Sequence, residues 1–264
     1  MRGSDNLDHD AALLLETVRA AGELGLALAR KPDLQRWTKP DGTPVTEGDL
    51  AIDQLIQSRL RSARPGDGVL SEETPDGPDR LGCHRLWIVD PIDGTRAFSE
   101  GRTEWCVAAA LVVAGRPVLA SVFQPITGDV FLARAGEGST LNGAPLAMAD
   151  PPTLEGARIA GSRKALAQLS PAGVSGDSSG ALPLQLRLAA VAAGRLDGAV
   201  SLGPRNDWDL AAGELLVIEA GGTVSSTDGR RYVYNQAEPW QQGLVAAGAR
   251  RHAALITALR TSGP

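Results

Sequence analysis

The sequence predicts a mixed α+β fold in which sheets and helices stack in layers. Three observations carry the prediction. Segments with helical apolar spacing alternate irregularly with short β-rich runs, without the strict strand–helix–strand rhythm of a doubly wound sheet. An apolar triplet, Trp87, Ile88 and Val89, runs directly into Asp90-Pro91, as a buried strand ending in a turn would. With 43% apolar but only 4% aromatic residues, the core must be built from Ala, Leu and Val. A chain of 264 residues accommodates one large domain or two smaller ones sharing a core. The proline pair within Ala149–Pro152 marks the seam, giving an N-terminal part, residues 1–150, and a C-terminal part, residues 151–264.

The elements follow in order. Leu14, Val18, Ala21, Gly25 and Leu28 repeat at helical spacing, and Pro32 ends that helix. Lys39-Pro-Asp-Gly-Thr-Pro44 is turn chemistry. Thr46 is the expected N-cap of a second helix reaching Arg61, with Asp49 in its first turn. Pro65-Gly66-Asp67-Gly68 breaks it, and Val69-Leu70 form a short strand before Ser71-Glu72-Glu73. After the strand at Trp87, Val107–Val113 and Val118–Phe123 pair around a Gly115 turn, and Val130–Ala133 adds a further strand. Gly136–Gly143 is expected as a strand-linking turn. Next come a strand near Arg158–Ala160, a helix near Leu184–Ala193, a strand near Gly198–Leu202 and a helix over Leu210–Ala220. A hairpin turns at Asp228-Gly229, and a strand at Leu244–Ala247 and a helix at Arg251–Leu259 close the chain.

Charge and composition exclude several classes. A net charge of −5 with scattered Lys and Arg argues against a nucleic-acid-binding surface, though not against a nucleotide substrate. The longest apolar run, Val107–Ala114, is far short of the ~20 residues that span a bilayer. Asp5, Asp8 and Asp10 precede the first apolar run, unlike a secretory leader. Cys83 and Cys106 match no metal or disulfide pattern and are expected as buried, reduced thiols of a cytoplasmic protein. His9, His84 and His252 lie near no nucleophile elbow, so they are expected on the surface or in packing.

The chemistry concentrates in acids. Asp49, Glu72-Glu73, Asp90/Asp93 and Asp207/Asp209 all stand at ends of expected elements. Taken singly, each has an ordinary explanation as a helix cap, a solvated pair or turn residues. Their conjunction does not. Asp90 follows a buried strand, where a carboxylate lacking a cation or donors is costly. Carboxylates converging without matching lysines call for a cation, and an oxygen-only set selects Mg²⁺ over Zn²⁺. Gly94-Thr95 then exposes backbone N–H groups suited to a phosphate. Metal plus phosphate site is the equipment of metal-assisted phosphoester hydrolysis.

At these residues the chain resembles the inositol monophosphatase superfamily of magnesium-dependent, typically lithium-sensitive phosphatases. The resemblance lies in Trp87-Ile-Val-Asp-Pro-Ile-Asp-Gly-Thr95, in Trp208-Asp-Leu-Ala-Ala-Gly213 with Glu219-Ala-Gly-Gly222, in Ser71-Glu-Glu73 and in Thr43-Pro-Val-Thr-Glu-Gly-Asp49. It implies a layered α-β-α-β-α sandwich. It implies Mg²⁺, two or three ions, on Glu72, Asp90, the Ile92 carbonyl, Asp93 and Asp209. It also implies Thr95, with Asp49 and Glu72, as activator of the attacking water, and Gly94 and Thr95 amides as the phosphate cradle.

Asp93-Gly-Thr-Arg-Ala-Phe98, Gly101-Arg-Thr-Glu-Trp105, Arg64-Pro-Gly-Asp67 and Tyr234-Asn-Gln236 are similar to the CysQ-type 3'(2'),5'-bisphosphate nucleotidases. That branch implies removal of the 3'-phosphate from adenosine 3',5'-bisphosphate, a substrate of sulfur metabolism, with Arg205, Arg96, Arg102 and Lys39 as candidate contacts for the second phosphate. Inositol-specific members carry a glutamate seven residues before the second-motif aspartate, and here Leu202 stands there. The alternatives are an inositol-1-monophosphatase or broad sugar-phosphate phosphatase acting also on fructose 1,6-bisphosphate, and a silent phosphoester-binding regulator. Superfamily members often pair as homodimers, although no long exposed apolar face in the sequence demands it.

Overall fold

The computed structural model describes residues 2–40, 42–177 and 182–261. The chain opens with helix α1 (Arg2–Ala29) and a small hairpin, β1 (Arg36–Thr38) and β2 (Pro44–Thr46), before α2 (Glu47–Ala63). Then follow β3 (Gly68–Ser71), β4 (Arg85–Asp93), the short helix α3 (Thr95–Ser99), β5 (Cys106–Val113), β6 (Arg116–Gln124), β7 (Asp129–Arg134), β8 (Gly138–Leu141) and β9 (Ala144–Pro145). These strands form a seven-stranded sheet in chain order, parallel between β3 and β4 and antiparallel beyond.

The second half runs β10 (Arg158–Gly161), α4 (Arg163–Leu169), β11 (Ser175–Asp177), α5 (Leu184–Ala192), β12 (Gly198–Ser201), β13 (Arg205–Asn206), α6 (Asp207–Glu219), β14 (Gly222–Ser225), β15 (Trp240–Gln241), β16 (Leu244–Gly248) and α7 (Ala249–Thr261). Its five-stranded sheet has the order β11-β10-β12-β16-β14, while β13 and β15 form a separate two-residue ribbon.

Strand periodicity explains the layering. On β4, Trp87 and Val89 point to one face and Leu86 and Ile88 to the other. The first pair joins Leu14, Val18, Ile52 and Ile56 of α1 and α2. The second joins Leu188 of α5, Leu210 and Leu216 of α6, and Ala199, Val224 and Ala246 of the second sheet. The far face of that sheet, with Ile159, Val200 and Val245, is covered by Leu169, Leu255 and Leu259 of α4 and α7. The result is the expected mixed α/β sandwich, in the order α-β-α-β-α. Small side chains make it possible: Ala108, Ala110, Ala189, Ala211 and Ala212 let α5 and α6 lie close between two sheets.

Several local expectations need correction. Strand β4 does not end at Asp90 but continues to Asp93. Helix α6 begins at Asp207, three residues earlier than Leu210, because its first turn is polar and shows no apolar period. Gly136–Gly143 contains strand β8, since Ser139 and Thr140 pair with Ala133 and Leu132. The chain turns at Asp228-Gly229, but no hairpin forms, because β14 pairs with β16 instead. Cys106 is buried, whereas Cys83 is only half-buried; both are free thiols. Among the described residues, no helix is long and apolar enough to cross a membrane.

Candidate active site

The register of β4 on β5 puts two carboxylates side by side. Asp90 lies opposite Ala108 and Asp93 opposite Cys106, so three steps on β4 match two on β5. This is a β-bulge, located where Pro91 cannot donate to the ladder. In a regular strand, residues three apart face opposite sides. The extra residue turns Asp93 to the side of Asp90. Gly94 follows at φ +104°, a conformation that favours glycine, and Thr95 opens α3. The first N–H groups of a helix are left unused by the helix itself.

Three other elements deliver side chains to the same place. Glu72 follows the end of β3. Asp209 stands in the first turn of α6, where its Oδ2 accepts from Asn206 N at 3.1 Å. Asp49 stands in the first turn of α2, inside a capping box with Thr46. Its Oδ2 accepts from Thr46 N at 2.8 Å and Thr46 Oγ1 at 2.6 Å, and its Oδ1 accepts from Thr95 Oγ1 at 2.8 Å. Asp49 is only 1% exposed, so it meets the cleft through Thr95.

The cleft has a volume of about 520 Å³, and its lining carries both Glu72, Asp90, Asp93 and Asp209 and Arg96, Arg102, Arg187 and Arg205. Arg102 is drawn to Glu100 and Glu104, each at 3.3 Å. Arg205 Nε donates to Ser201 Oγ at 2.8 Å, and Arg187 Nε to the Leu182 carbonyl at 2.6 Å. Lys39, a candidate phosphate contact, instead reaches two carboxylates: its Nζ lies 3.0 Å from Glu72 Oε1 and 2.7 Å from Glu73 Oε1. Glu73 thus serves Lys39 and stays out of the cleft lining. The pair Asp207/Asp209 also separates, because side chains two apart on a helix diverge by about 200°. Asp207 is fully buried on the far side, accepting from Gln241 Nε2 at 2.8 Å.

The electrostatics ask for a cation. Burial, with the charges of Glu72, Asp93, Asp209 and Asp49, pushes the Asp90 carboxyl well above its usual range. Burial and Asp209 push Asp93 up to about 7, and burial and Glu72 push Asp209 up to about 6. Burial is also the first cause raising Asp49, against the hydrogen bonds from Thr46 and Thr95. Asp90 Oδ1 is buried without any hydrogen-bond partner, an arrangement that a bound cation would relieve. Among the described residues no three His, Cys, Asp or Glu side chains already form a closed ligand cage. Each carboxylate is instead held by a donor of the protein: Lys39 holds Glu72, Gln185 N holds Asp93 and Asn206 N holds Asp209. The all-oxygen donor set and the orphaned Asp90 oxygen nevertheless fit a hard divalent ion.

Sequence reasoning gave no role to Gln185, Arg187 or the Lys39 bridge. Gln185 and Arg187 lie in Leu182–Arg187, a stretch that carries no motif, and their partners are distant in sequence.

A layered α/β fold with carboxylates and arginines lining one cleft at its strand and helix ends fits a metal-assisted phosphatase. The chain belongs to the inositol monophosphatase family, whose model matches residues 6–263. It is 36% identical to a 3'-phosphoadenosine 5'-phosphate phosphatase from Mycobacterium leprae, over 91% of this chain and 89% of that one. It is 32% identical to a histidinol-phosphatase from Chlorobaculum parvum, over 95% and 96%. The crystal structure of the extragenic suppressor protein suhB from Bartonella henselae superposes with a TM-score of 0.81 at 29% identity, covering 94% of this chain and 97% of that one.

Proposed function

We propose that the chain is a Mg²⁺-dependent phosphomonoesterase that removes the 3'-phosphate of adenosine 3',5'-bisphosphate, yielding AMP and phosphate. One observation carries the choice of substrate: the cleft is lined by arginines as well as carboxylates. A monophosphate needs only the carboxylates and their metal, whereas Arg187 and Arg205 in the same lining suit a second anionic group. The name of the Mycobacterium leprae relative favours the same reading. Leu202, at the position where inositol-specific members carry a glutamate, is packed against the outer core of the second sheet and offers no hydrogen bond to a sugar hydroxyl.

In this reading Glu72, Asp90, the Ile92 carbonyl, Asp93 and Asp209 hold Mg²⁺, which when bound supplies phosphate-charge neutralisation and a water of lowered pKa. The 1–150 part brings most of these groups and the 151–264 part brings Asp209. Thr95 gives its hydroxyl proton to Asp49, at 2.8 Å, and so presents lone pairs to the cleft. It orients a water by accepting one of its protons. Glu72 stands on the same side to take the other. The amides of Gly94 and Thr95 receive the phosphate oxygens, and Asp209 borders the leaving oxygen. The guanidinium of Arg205, already oriented by Ser201, meets the remote 5'-phosphate together with Arg187.

The experiment measures phosphate release with Mg²⁺ from adenosine 3',5'-bisphosphate, inositol 1-phosphate and fructose 1,6-bisphosphate. The highest kcat/KM is expected for the nucleotide. Arg205→Ala is expected to raise its KM while leaving inositol 1-phosphate turnover unchanged. Faster turnover of inositol phosphate would overturn the nucleotide assignment.

A further inference from the structure

Gln185 is fully buried beside the site, and its backbone N–H and both polar atoms of its side-chain amide are hydrogen-bonded there. Its backbone N–H donates to Asp93 Oδ2 at 2.5 Å. Its side-chain Nε2 donates to the carbonyl of Trp208, the residue before Asp209, at 2.7 Å. Its Oε1 accepts from Gly213 N, one turn after Asp209, at 2.8 Å. A single amide orientation satisfies both side-chain bonds. The first turn of α6 is therefore gripped above and below Asp209 by the same residue that holds Asp93.

The surroundings are shaped to allow this. A Cβ on Gly213 would stand 2.9 Å from Gln185 Oε1 and 2.4 Å from Leu188 Cδ1. A Cβ on Gly94 would come within 3.2 Å of Pro183 Cγ, so the start of α5 also abuts the turn after Asp93. Asp93 and Asp209 come from opposite halves of the chain and bring two like-charged carboxylates to one cleft. Left alone, they would separate. A bond network that spans them opposes this without contributing charge.

We propose that Gln185 is a positioning residue that sets the distance between Asp93 and Asp209 and thereby preorganises the cation site. Its role rests on the metal reading of the cleft. Groups that orient metal ligands are commonly worth about 10–100-fold in metal affinity.

The test compares wild type with Gln185→Met, which keeps the volume and removes both side-chain bonds. Leu216→Ala serves as control, because Leu216 is a fully buried α6 residue of the hydrophobic core with no polar side-chain atom to bond either carboxylate. Mg²⁺ titration of the metal-free protein by calorimetry is expected to show a Kd about tenfold or more higher for Gln185→Met. Hydrogen exchange at the Gly213 amide is expected to accelerate even without metal. Turnover is expected to recover towards the wild-type kcat at saturating Mg²⁺. Leu216→Ala is expected to lose thermal stability while keeping its Mg²⁺ affinity. If Gln185→Met does not fold, Gln185→Glu replaces it: the acceptor for Gly213 N is kept and an oxygen faces the Trp208 carbonyl. Wild-type Mg²⁺ affinity in the variant, or an equal loss in Leu216→Ala, would overturn the proposal alone. A wild-type protein that binds no Mg²⁺ would overturn the metal reading and this role with it.

Discussion

Gly94→Ala tests how tightly the chemistry depends on the backbone between Asp93 and Thr95. At φ +104° an L-residue is strained, and a left-handed conformation costs a non-glycine residue about 1–2 kcal/mol. The new Cβ would also stand 2.6 Å from the carbonyl oxygen of Glu104. That oxygen has little room to retreat. It precedes Trp105, which is 1% exposed and packs edge-on against Phe98 with ring centroids 5.0 Å apart. Overpacking against a rigid neighbour adds about 1–3 kcal/mol, for a total of roughly 2–5. In a chain of this size the melting temperature is expected to fall by roughly 5–15 °C. The strain relaxes into the turn, moving the Asp93 carboxylate and the Thr95 hydroxyl. A displacement of about 1 Å lowers turnover on the order of 100-fold. Thermal melting and phosphate release measure the two effects. Gly77→Ala is the control, since Gly77 has φ −140° and open space around its missing Cβ. A Gly94→Ala protein as stable and as active as Gly77→Ala would refute the reasoning.

Three further outcomes follow from other parts of the fold. Asp90→Asn removes a buried charge that Asp93, Glu72 and Asp209 oppose, so in EDTA the variant should melt above wild type, while Mg²⁺-dependent turnover falls by about 100-fold or more; an active variant with an unchanged melting point contradicts both. Glu214, buried and bonded to Tyr234 Oη at 2.5 Å, is pushed up to about 7 chiefly by burial. Its folded-state pKa is raised, so its contribution is fully present below its unfolded value near 4.5 and is lost as pH rises through about 7. The loss is on the order of 3 kcal/mol, and urea denaturation of Glu214→Gln against wild type at pH 5 and pH 8 should show the wild-type decline flattened by that order. Asp10, fully buried, accepts from Arg64 Nε at 2.7 Å and Arg85 Nη2 at 2.8 Å, tying α1 to the start of β4. Asp10→Ala takes the carboxylate from Arg64 and leaves Arg85 only its Asp67 pair, and should cost about 1–3 kcal/mol in chemical denaturation, with a change under about 0.5 kcal/mol counting against it.

Most of the fold was legible because local patterns dictated it. The capping box at Thr46 and Asp49 is a short-range code, and α2 starts there. The apolar runs at Val107 and Val118 pair as expected because a two-residue turn at Ala114-Gly115 folds one directly back on the other. Helix α6 starts before its apolar period because Asp207 and Trp208 break that period while still satisfying helical geometry. The Asp228-Gly229 turn has the right local chemistry, but β14 pairs with the more distant β16 rather than with the residues directly after the turn.

The sequence by itself determined the types of chemistry. The carboxylates around Trp87–Thr95, at Glu72 and at Asp209 follow from local residue order, as do the glycine after Asp93 and the cap that holds Asp49. Only the tertiary structure decided how these groups meet. The bulge at Pro91 and Ile92 turns Asp93 to the side of Asp90, helical phase sends Asp209 to the cleft and Asp207 away, and Lys39 goes to Glu72 and Glu73. Gln185 couples residues 92 and 28 positions away. The physical reason is the same in each case. Residue type and spacing encode what short-range geometry can satisfy, whereas register, phase and long-range hydrogen bonds are settled by which buried groups find partners once the layers pack.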